Sequence, residues 1–524
     1  MRKMKSLTKL WGDFKAIPLN MHHLVLTFRL FVEKIEDPNG QEAPLFVGVN
    51  TLSGSIDLFT QEEGKYLETL KRNNTEKQDL SSIPESFLMR LKNRGYLYPS
   101  KEYEELVFET IINRYKHEKY NADKILGFFA VDMGCPVKCK YCFEKKYAEQ
   151  TDEFEKSVMD ETSLRAAFNV LDVIKNLQRK EIDFVAGWGG EPLIEKNMDM
   201  NALFVDLAKE RKIPIGYFSS LVLLGDKGYE LLAKNASYLK FMQTTLDAKG
   251  PVHDKLRKNP QAYERTVFNI DRLLKADVPV IIRTNVGPHN IDLVPELAEF
   301  YEKKGWYEFP KFKAFVVKTY DRHHDHETNY LFSEDQALSH WLRLKDTYPA
   351  VRKMQTLKYA PALLPILRAF EIRESIDITQ EDFEVETKPM LTYCYTGNRC
   401  EYVFTGAPNY SIYTCAECTG MSKYKIGTYY PHLSFDPEKK KMWGMGEEFY
   451  GIRSIDTLKM CKPCPANTHC GGYCTLEAIT ANGSSDNVYC KEIQNVIPNF
   501  IRNESARLYR RGRMLMDRSA NITL

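Results

Sequence analysis

The stretch Cys135-Pro136-Val137-Lys138-Cys139-Lys140-Tyr141-Cys142 follows directly on the apolar, strand-like run Leu126 to Val131. Its Cx3Cx2C spacing gathers three thiols, Cys135, Cys139 and Cys142, on one tight loop. Three thiolates suffice to hold three irons of a 4Fe-4S cluster and leave the fourth iron open. A cluster saturated by four protein thiolates usually only carries electrons, whereas an open iron binds a further ligand through oxygen and nitrogen. Structural zinc is the alternative for closely spaced cysteines. A disulfide framework is disfavoured, because 12 cysteines are diluted among 524 residues and Met1 to Phe14 lacks the apolar segment of a secretory signal.

Downstream of the triad, strand and helix patterns alternate, the signature of an α/β fold with a parallel sheet and covering helices. Strands are expected at Gly127 to Val131, Asp183 to Trp188, Pro214 to Ser220, Leu239 to Leu246, Val278 to Val286 and Phe312 to Val317. Helices are expected between them, at Thr162 to Gln178, Ala202 to Lys212, Lys227 to Lys234, Ala262 to Lys275 and Leu293 to Lys304. The second of these strands runs into Gly189-Gly190-Glu191-Pro192, where small glycines let backbone come close to a bound group.

The triad and the GGEP turn one strand-helix unit later together resemble the radical SAM superfamily. That resemblance implies a partial (β/α)6 barrel with its chemistry at the C-terminal ends of the strands. It also implies an open iron that chelates S-adenosylmethionine and cleaves it by one electron to a 5'-deoxyadenosyl radical. Cys135, Cys139 and Cys142 would be the catalytic cluster ligands. Tyr141 stands at the aromatic position before the third cysteine, near the adenine, and Gly189, Gly190, Glu191 and Pro192 form the turn that meets the methionyl amino group. Ser219-Ser220 stands where relatives often read TNGTLL, so its hydroxyls are expected on the methionyl carboxylate. Thr245-Leu246-Asp247 resembles SLDG, His253 to Arg257 resembles HDxxR, and Arg283 with Asn285 and Asn290 resembles the RxNV region. Ala248-Lys249 replaces the glycine common in the family. Of these, Thr245, Arg257, Arg283 and Asn285 are the expected cofactor contacts.

A second constellation, Cys394-x5-Cys400-x14-Cys415 followed by Cys461-x2-Cys464-x5-Cys470-x3-Cys474-x15-Cys490, resembles the SPASM domain. By the family's arrangement Cys394, Cys400, Cys415 and Cys474 would hold auxiliary 4Fe-4S cluster I, and Cys461, Cys464, Cys470 and Cys490 cluster II. Zinc again is the alternative. Anaerobic sulfatase maturases share this cysteine map but place an Asp after the third cysteine of the first set. Ala416 stands there in this chain, with Glu417 next and Cys418 left over, the last read as a buried small thiol. The run Arg322-His323-His324-Asp325-His326-Glu327 has metal-ligand residue types, but consecutive side chains do not converge, and a solvated loop is expected.

Toward the N-terminus, Leu24 to Val32 and Pro44 to Val49 read as strands, with a turn-rich stretch over Asn50 to Leu58, helices at Glu62 to Leu70 and Pro84 to Asn93, and a strand at Tyr96 to Tyr98. The order resembles the winged-helix element that binds precursor leaders in ribosomal-peptide maturases by strand addition. A domain that only braces the barrel is the alternative. The expected division is 1–122 (winged-helix-like), 123–340 (barrel), 341–390 (bridge), 391–500 (SPASM) and 501–524 (helical tail). Net charge is only +2 with basic residues dispersed, which argues against nucleic acid, and no apolar run reaches membrane-span length. The resulting expectation is a cytoplasmic enzyme reduced by a flavodoxin or ferredoxin. It would oxidatively modify a peptide or small protein, with thioether or carbon-carbon crosslinking favoured. A Cys or Ser oxidase of the sulfatase-maturase kind is the alternative, and a non-catalytic multi-cluster carrier the alternative of another class.

Overall fold

The computed structural model describes residues 24–72, 82–122, 124–142, 144, 156–321, 331–355, 360–372, 390–394, 400–443, 453–490 and 493–522. The histidine-rich run at 322–327 therefore lies outside the described residues.

The N-terminal strands are β1 (Val25–Leu26), β2 (Leu30–Ile35), β3 (Leu45–Asn50), β4 (Ile56–Phe59) and β5 (Leu97–Tyr98). Strands β2, β3 and β4 form an antiparallel sheet in that order, and β1 pairs with β5 separately. Leu24 to Val32, expected as one strand, is thus split between two sheets. The cause is Arg29, fully buried and turned inward to Glu104 at 2.9 Å, a long-range ion pair that alternation of polarity cannot announce. Strand β3 is buried along its whole length because both its faces are covered. Phe46 packs with Leu67, Leu88 and Leu91 of helices Gln61–Arg72 and Glu85–Asn93. Leu45, Val47 and Val49, on the opposite face of the pleat, pack with Val496, Phe500, Ile501 and Leu508 of helices Val496–Asn503 and Ser505–Ile522.

Strands β6 (Ile125–Ala130), β7 (Ile182–Trp188), β8 (Ile215–Phe218), β9 (Leu239–Thr245), β10 (Val280–Val286) and β11 (Lys313–Lys318) follow with a helix after each of the first five. All neighbours among them pair in parallel and in sequence order. The first of these helices, Glu161–Gln178, starts at a capping box in which Asp160 accepts from Ser163 N–H and Ser163 answers to the Asp160 N–H. It buries Leu164, Ala167, Phe168, Leu171 and Ile174, the i, i+3, i+4, i+7, i+10 stripe its sequence dictates. Strand β8 ends at Phe218, two residues before the expected Ser220, which leaves Ser219 and Ser220 in the loop at the strand's C-terminal end.

The sheet does not stop at the six strands. Strand β12 (Glu401–Thr405) pairs in parallel with β6, and β13 (Ser411–Tyr413), β14 (Gly427–Thr428) and β15 (Ser434–Phe435) continue antiparallel, giving ten strands among the described residues. One apolar core runs through both parts, from Ile125 and Phe129 to Tyr402, Phe404, Cys415 and Cys474. Among the described residues no helix is long and apolar enough to cross a membrane.

Candidate active site

The loop after β6 is held by its first polar residue. Asp132, 2% exposed, accepts from the Gly134 N–H at 2.7 Å and from Asn197 Nδ2 at 3.3 Å, and it pairs with Lys196 at 2.6 Å. Gly134 in turn accepts the Glu191 N–H at 3.3 Å, so the triad loop and the GGEP turn are stitched together. A Cβ on Gly190 would stand 2.5 Å from the Gly134 carbonyl oxygen, and Gly189 has φ +96°, so both positions need glycine. Asp132 was missed in the sequence. Its signal was an acidic residue immediately after a strand and two before a glycine.

Glu191 fixes the neighbouring strand end. Its carboxylate accepts from Ser219 Oγ at 2.6 Å, from the Ser220 N–H at 2.8 Å and from Ser220 Oγ. Both serine hydroxyls donate to Glu191, which holds them at the cavity wall. Asp247 plays the corresponding part beyond β9. It accepts from Tyr141 OH and from the Asn285 N–H at 2.9 Å, and it faces Arg257 Nε at 3.7 Å. Arg257 also reaches Cys139 Sγ at 3.3 Å, while Arg283 bonds to Asn285 Oδ1 at 2.8 Å. His253 and Asn290 are buried supports, His253 Nδ1 accepting the Asp247 N–H and Asn290 donating to the Asp247 carbonyl.

These groups surround one cavity of about 470 Å³ at the C-terminal ends of the barrel strands. Cys135, Cys139, Tyr141, Cys142, Gly189, Gly190, Glu191, Ser219, Ser220, Thr245, Arg257, Arg283 and Asn285 all line it. Phe128, Trp188 and Phe218 of three adjacent strands form its aromatic floor, with ring centroids 5.0 to 5.9 Å apart. Pro192 does not line the cavity; it is buried beneath, its carbonyl accepting from Asn201 at 2.9 Å.

The opposite wall comes from the second cysteine constellation, because the pairing of β12 with β6 carries it to the barrel mouth. Cys394, Cys415 and Cys474 line the cavity together with Tyr393, Glu401, Ala416 and Glu417. Cys400 is set behind this wall, fully buried. Tyr393 stacks on Tyr473 at 4.8 Å, and Tyr473 OH donates to Glu334, which pairs with Lys318 at 3.0 Å. Burial pushes the Glu401 carboxyl up to about 7 against the pull of the Ala416 N–H it accepts. Burial does the same to Glu144, also up to about 7. Glu401 went unremarked in the sequence, where its only signal was its place beside Cys400. Cys418 is fully buried, its thiol donating to the Cys415 carbonyl.

Cys461, Cys464, Cys470 and Cys490 lie apart and do not line this cavity. Burial raises the Cys470 thiol to about 12, with smaller pushes in the same direction from Cys461, Cys464 and Cys490. Among the described residues no three Cys, His, Asp or Glu side chains converge as a single metal ion requires.

Residues 133–301 match the Radical SAM superfamily. An AdoMet-dependent heme synthase of Methanosarcina barkeri (strain Fusaro / DSM 804) is 24% identical over 383 residues, which is 71% of this chain and 97% of that protein. Histidine-tagged anSMEcpe with bound AdoMet is 16% identical, with a TM-score of 0.51, covering 76% of this chain and 97% of that one. Native anSMEcpe with bound AdoMet and Kp18Cys peptide is likewise 16% identical with a TM-score of 0.51, covering 74% and 99%. A 4Fe-4S cluster and S-adenosylmethionine are implied by the family, and three thiols on one loop beside a cavity of this size fit them. The chain therefore carries a radical SAM superfamily domain over residues 133–301, built as a parallel-strand α/β fold shared with anSMEcpe.

Proposed function

We propose that this protein is a peptide maturase that oxidatively modifies a ribosomally synthesised precursor, with a thioether or carbon-carbon crosslink as the favoured product. The single observation that carries the proposal is the shared cavity: the Cx3Cx2C triad and three cysteines of the second constellation line the same space. A side chain held there touches both walls. In this reading Cys135, Cys139 and Cys142 hold the S-adenosylmethionine cluster. Cys394, Cys400, Cys415 and Cys474 hold auxiliary cluster I, and Cys461, Cys464, Cys470 and Cys490 hold cluster II. When bound, the first cluster and its cofactor supply a hydrogen-atom abstractor, and the auxiliary clusters supply an electron acceptor. The chain's own residues do the positioning. Glu191 fixes the loop after β8, Asp247 orients Tyr141 and Arg257, and Phe128, Trp188 and Phe218 supply an apolar floor. A peptide substrate also suits the fold neighbour solved with a bound peptide. The sheet β2–β3–β4 is read as the docking edge for the precursor's leader, and a flavodoxin or ferredoxin as the external reductant.

Glu401 and Glu417 favour a second reading, although Ala416 counts against it. Ala416 stands where sulfatase maturases carry a carboxylate, yet Glu401 and Glu417 both line the cavity beside it. Either supplies a proton acceptor for oxidation of a substrate Cys or Ser.

Anaerobic reconstitution with iron and sulfide, then assay with dithionite and S-adenosylmethionine, tests the proposal. Iron near roughly twelve per chain, from three clusters, and release of 5'-deoxyadenosine are expected. Zinc in place of iron, or no cleavage, overturns it. Replacing Cys394 or Cys474 with Ala should stop peptide modification while some 5'-deoxyadenosine release persists. Leader docking predicts hydrogen-exchange protection along β2 or β4 when the leader peptide is added, and protection confined to other elements refutes it.

A further inference from the structure

Two buried cations stand against the second cysteine constellation and take no part in the cavity. Lys180, 7% exposed, follows helix Glu161–Gln178 and points its Nζ at Cys400 Sγ, 3.5 Å away. Arg453, 3% exposed, spends its donors on backbone carbonyls: Nε to Ser485 at 2.9 Å, Nη1 to Tyr473 at 3.1 Å, and Nη2 to Gly472 at 2.9 Å and Asn487 at 3.3 Å. Among the described residues no carboxylate charge reaches Arg453. Gly472 and Tyr473 are the residues between Cys470 and Cys474, the point where the two cysteine sets meet. Burial lowers the Arg453 pKa, and Cys394 and Cys474 of one set with Cys461 and Cys470 of the other oppose that shift.

For Lys180 the contact with Cys400 is direct; for Arg453, burying a cation is costly, and proteins keep such groups where an anion completes them. A 4Fe-4S cluster with four thiolates is net negative, and its potential responds to nearby charge and to hydrogen bonds on its sulfurs. A neighbouring cation favours the reduced, more negative state.

We propose that Lys180 and Arg453 are the counter-cations of the auxiliary clusters. Lys180 serves the cluster ligated by Cys400 alone, Arg453 is shared by both, and the two raise the reduction potentials they touch. The inference rests on the reading of the eight cysteines as two auxiliary clusters. Both are positioning residues, since they act through cysteine ligands and not on the substrate.

The test is a dithionite redox titration of the reconstituted holoenzyme followed by low-temperature EPR. Lys180→Met should lower the midpoint of one auxiliary signal only. At the wild-type midpoint the ratio of reduced to oxidised cluster should fall about tenfold, equivalent to ~59 mV for a one-electron couple. Lys180→Arg should restore most of the shift, and Arg453→Gln should lower both auxiliary signals, with the S-adenosylmethionine cluster unmoved throughout. Unshifted midpoints in assembled Lys180→Met overturn the inference. If variants fail to assemble, wild-type protein labelled with 15N-lysine decides by pulsed EPR: a nitrogen coupling at an auxiliary cluster supports Lys180, and its absence overturns the assignment. Wild-type enzyme lacking auxiliary signals and their iron would instead sink the underlying two-cluster reading.

Discussion

Asp247 concentrates more of the site's order than any other residue on the cofactor side of the cavity. Its side chain is fully buried and serves Tyr141, Asn285 and Arg257 at once. Removing one partner of a buried ion pair leaves the other charge uncompensated, at a cost of about 3–5 kcal/mol. Asp247→Ala should therefore lower the unfolding free energy by that order in chemical denaturation, and Asp247→Asn, which keeps an acceptor, by less. Equal stability of all three proteins would show that Arg257 is compensated elsewhere. Glu191 acts one step removed, through the loop of Ser219 and Ser220. Glu191→Gln should reduce S-adenosylmethionine cleavage by roughly 10–100-fold, the usual loss for a residue that orients direct contacts. A rate within twofold of wild type would refute the role. The identities of Cys135, Gly189, Glu191 and Asp247 were legible as motif positions. The bonds that make Glu191 the acceptor for two serines were not, because they cross from one strand end to another 28 residues away.

Helix Glu161–Gln178 shows how one element carries both packing and electrostatics. Its apolar stripe supports β6, and its cap is the reciprocal pair of Asp160 and Ser163. Asp160→Ala should cost about 1 kcal/mol, visible as a lower thermal midpoint at neutral pH. The bond to the Ser163 N–H holds the Asp160 carboxyl below its ordinary value of 3.8. A depressed carboxyl contributes stability that is complete above the unfolded-state value and is lost as pH falls through the folded-state value. The difference between wild type and Asp160→Ala should accordingly shrink as pH is taken below about 4, and a difference independent of pH would argue against the charged cap. Strand β12 is the other decisive element. Five residues pair with β6 and bring Glu401, and with it the second cysteine wall, to the barrel mouth.

At the scale of the whole molecule, the two ends of the chain complete each other. The sheet β2–β3–β4 is covered on one face by its own helices and on the other by residues 496–509 together with Leu363, Ile366, Leu367 and Phe370. Phe31, Ile35, Leu45, Val47 and Val49 would lose much of their cover with the C-terminal helices. At ~1.5–3 kcal/mol per large apolar side chain, that loss is comparable to the total stability of a domain. Truncation before Val496 should make residues 24–72 sensitive to limited proteolysis. Retained resistance would show that the N-terminal sheet folds independently.

The sequence alone singled out the candidate site positions and determined the alternation of strand and helix. Both are local properties: cysteine spacing on one loop, a glycine turn after a strand, apolar stripes at helical period. It also placed a second cysteine set after Tyr393. Only the tertiary structure decided that this set shares a cavity with the first, that β12 extends the barrel sheet, and that Arg29, Lys180 and Arg453 are buried. The physical reason is sequence separation. A lysine 220 residues from its cysteine reads as an ordinary surface charge until the fold removes both from water.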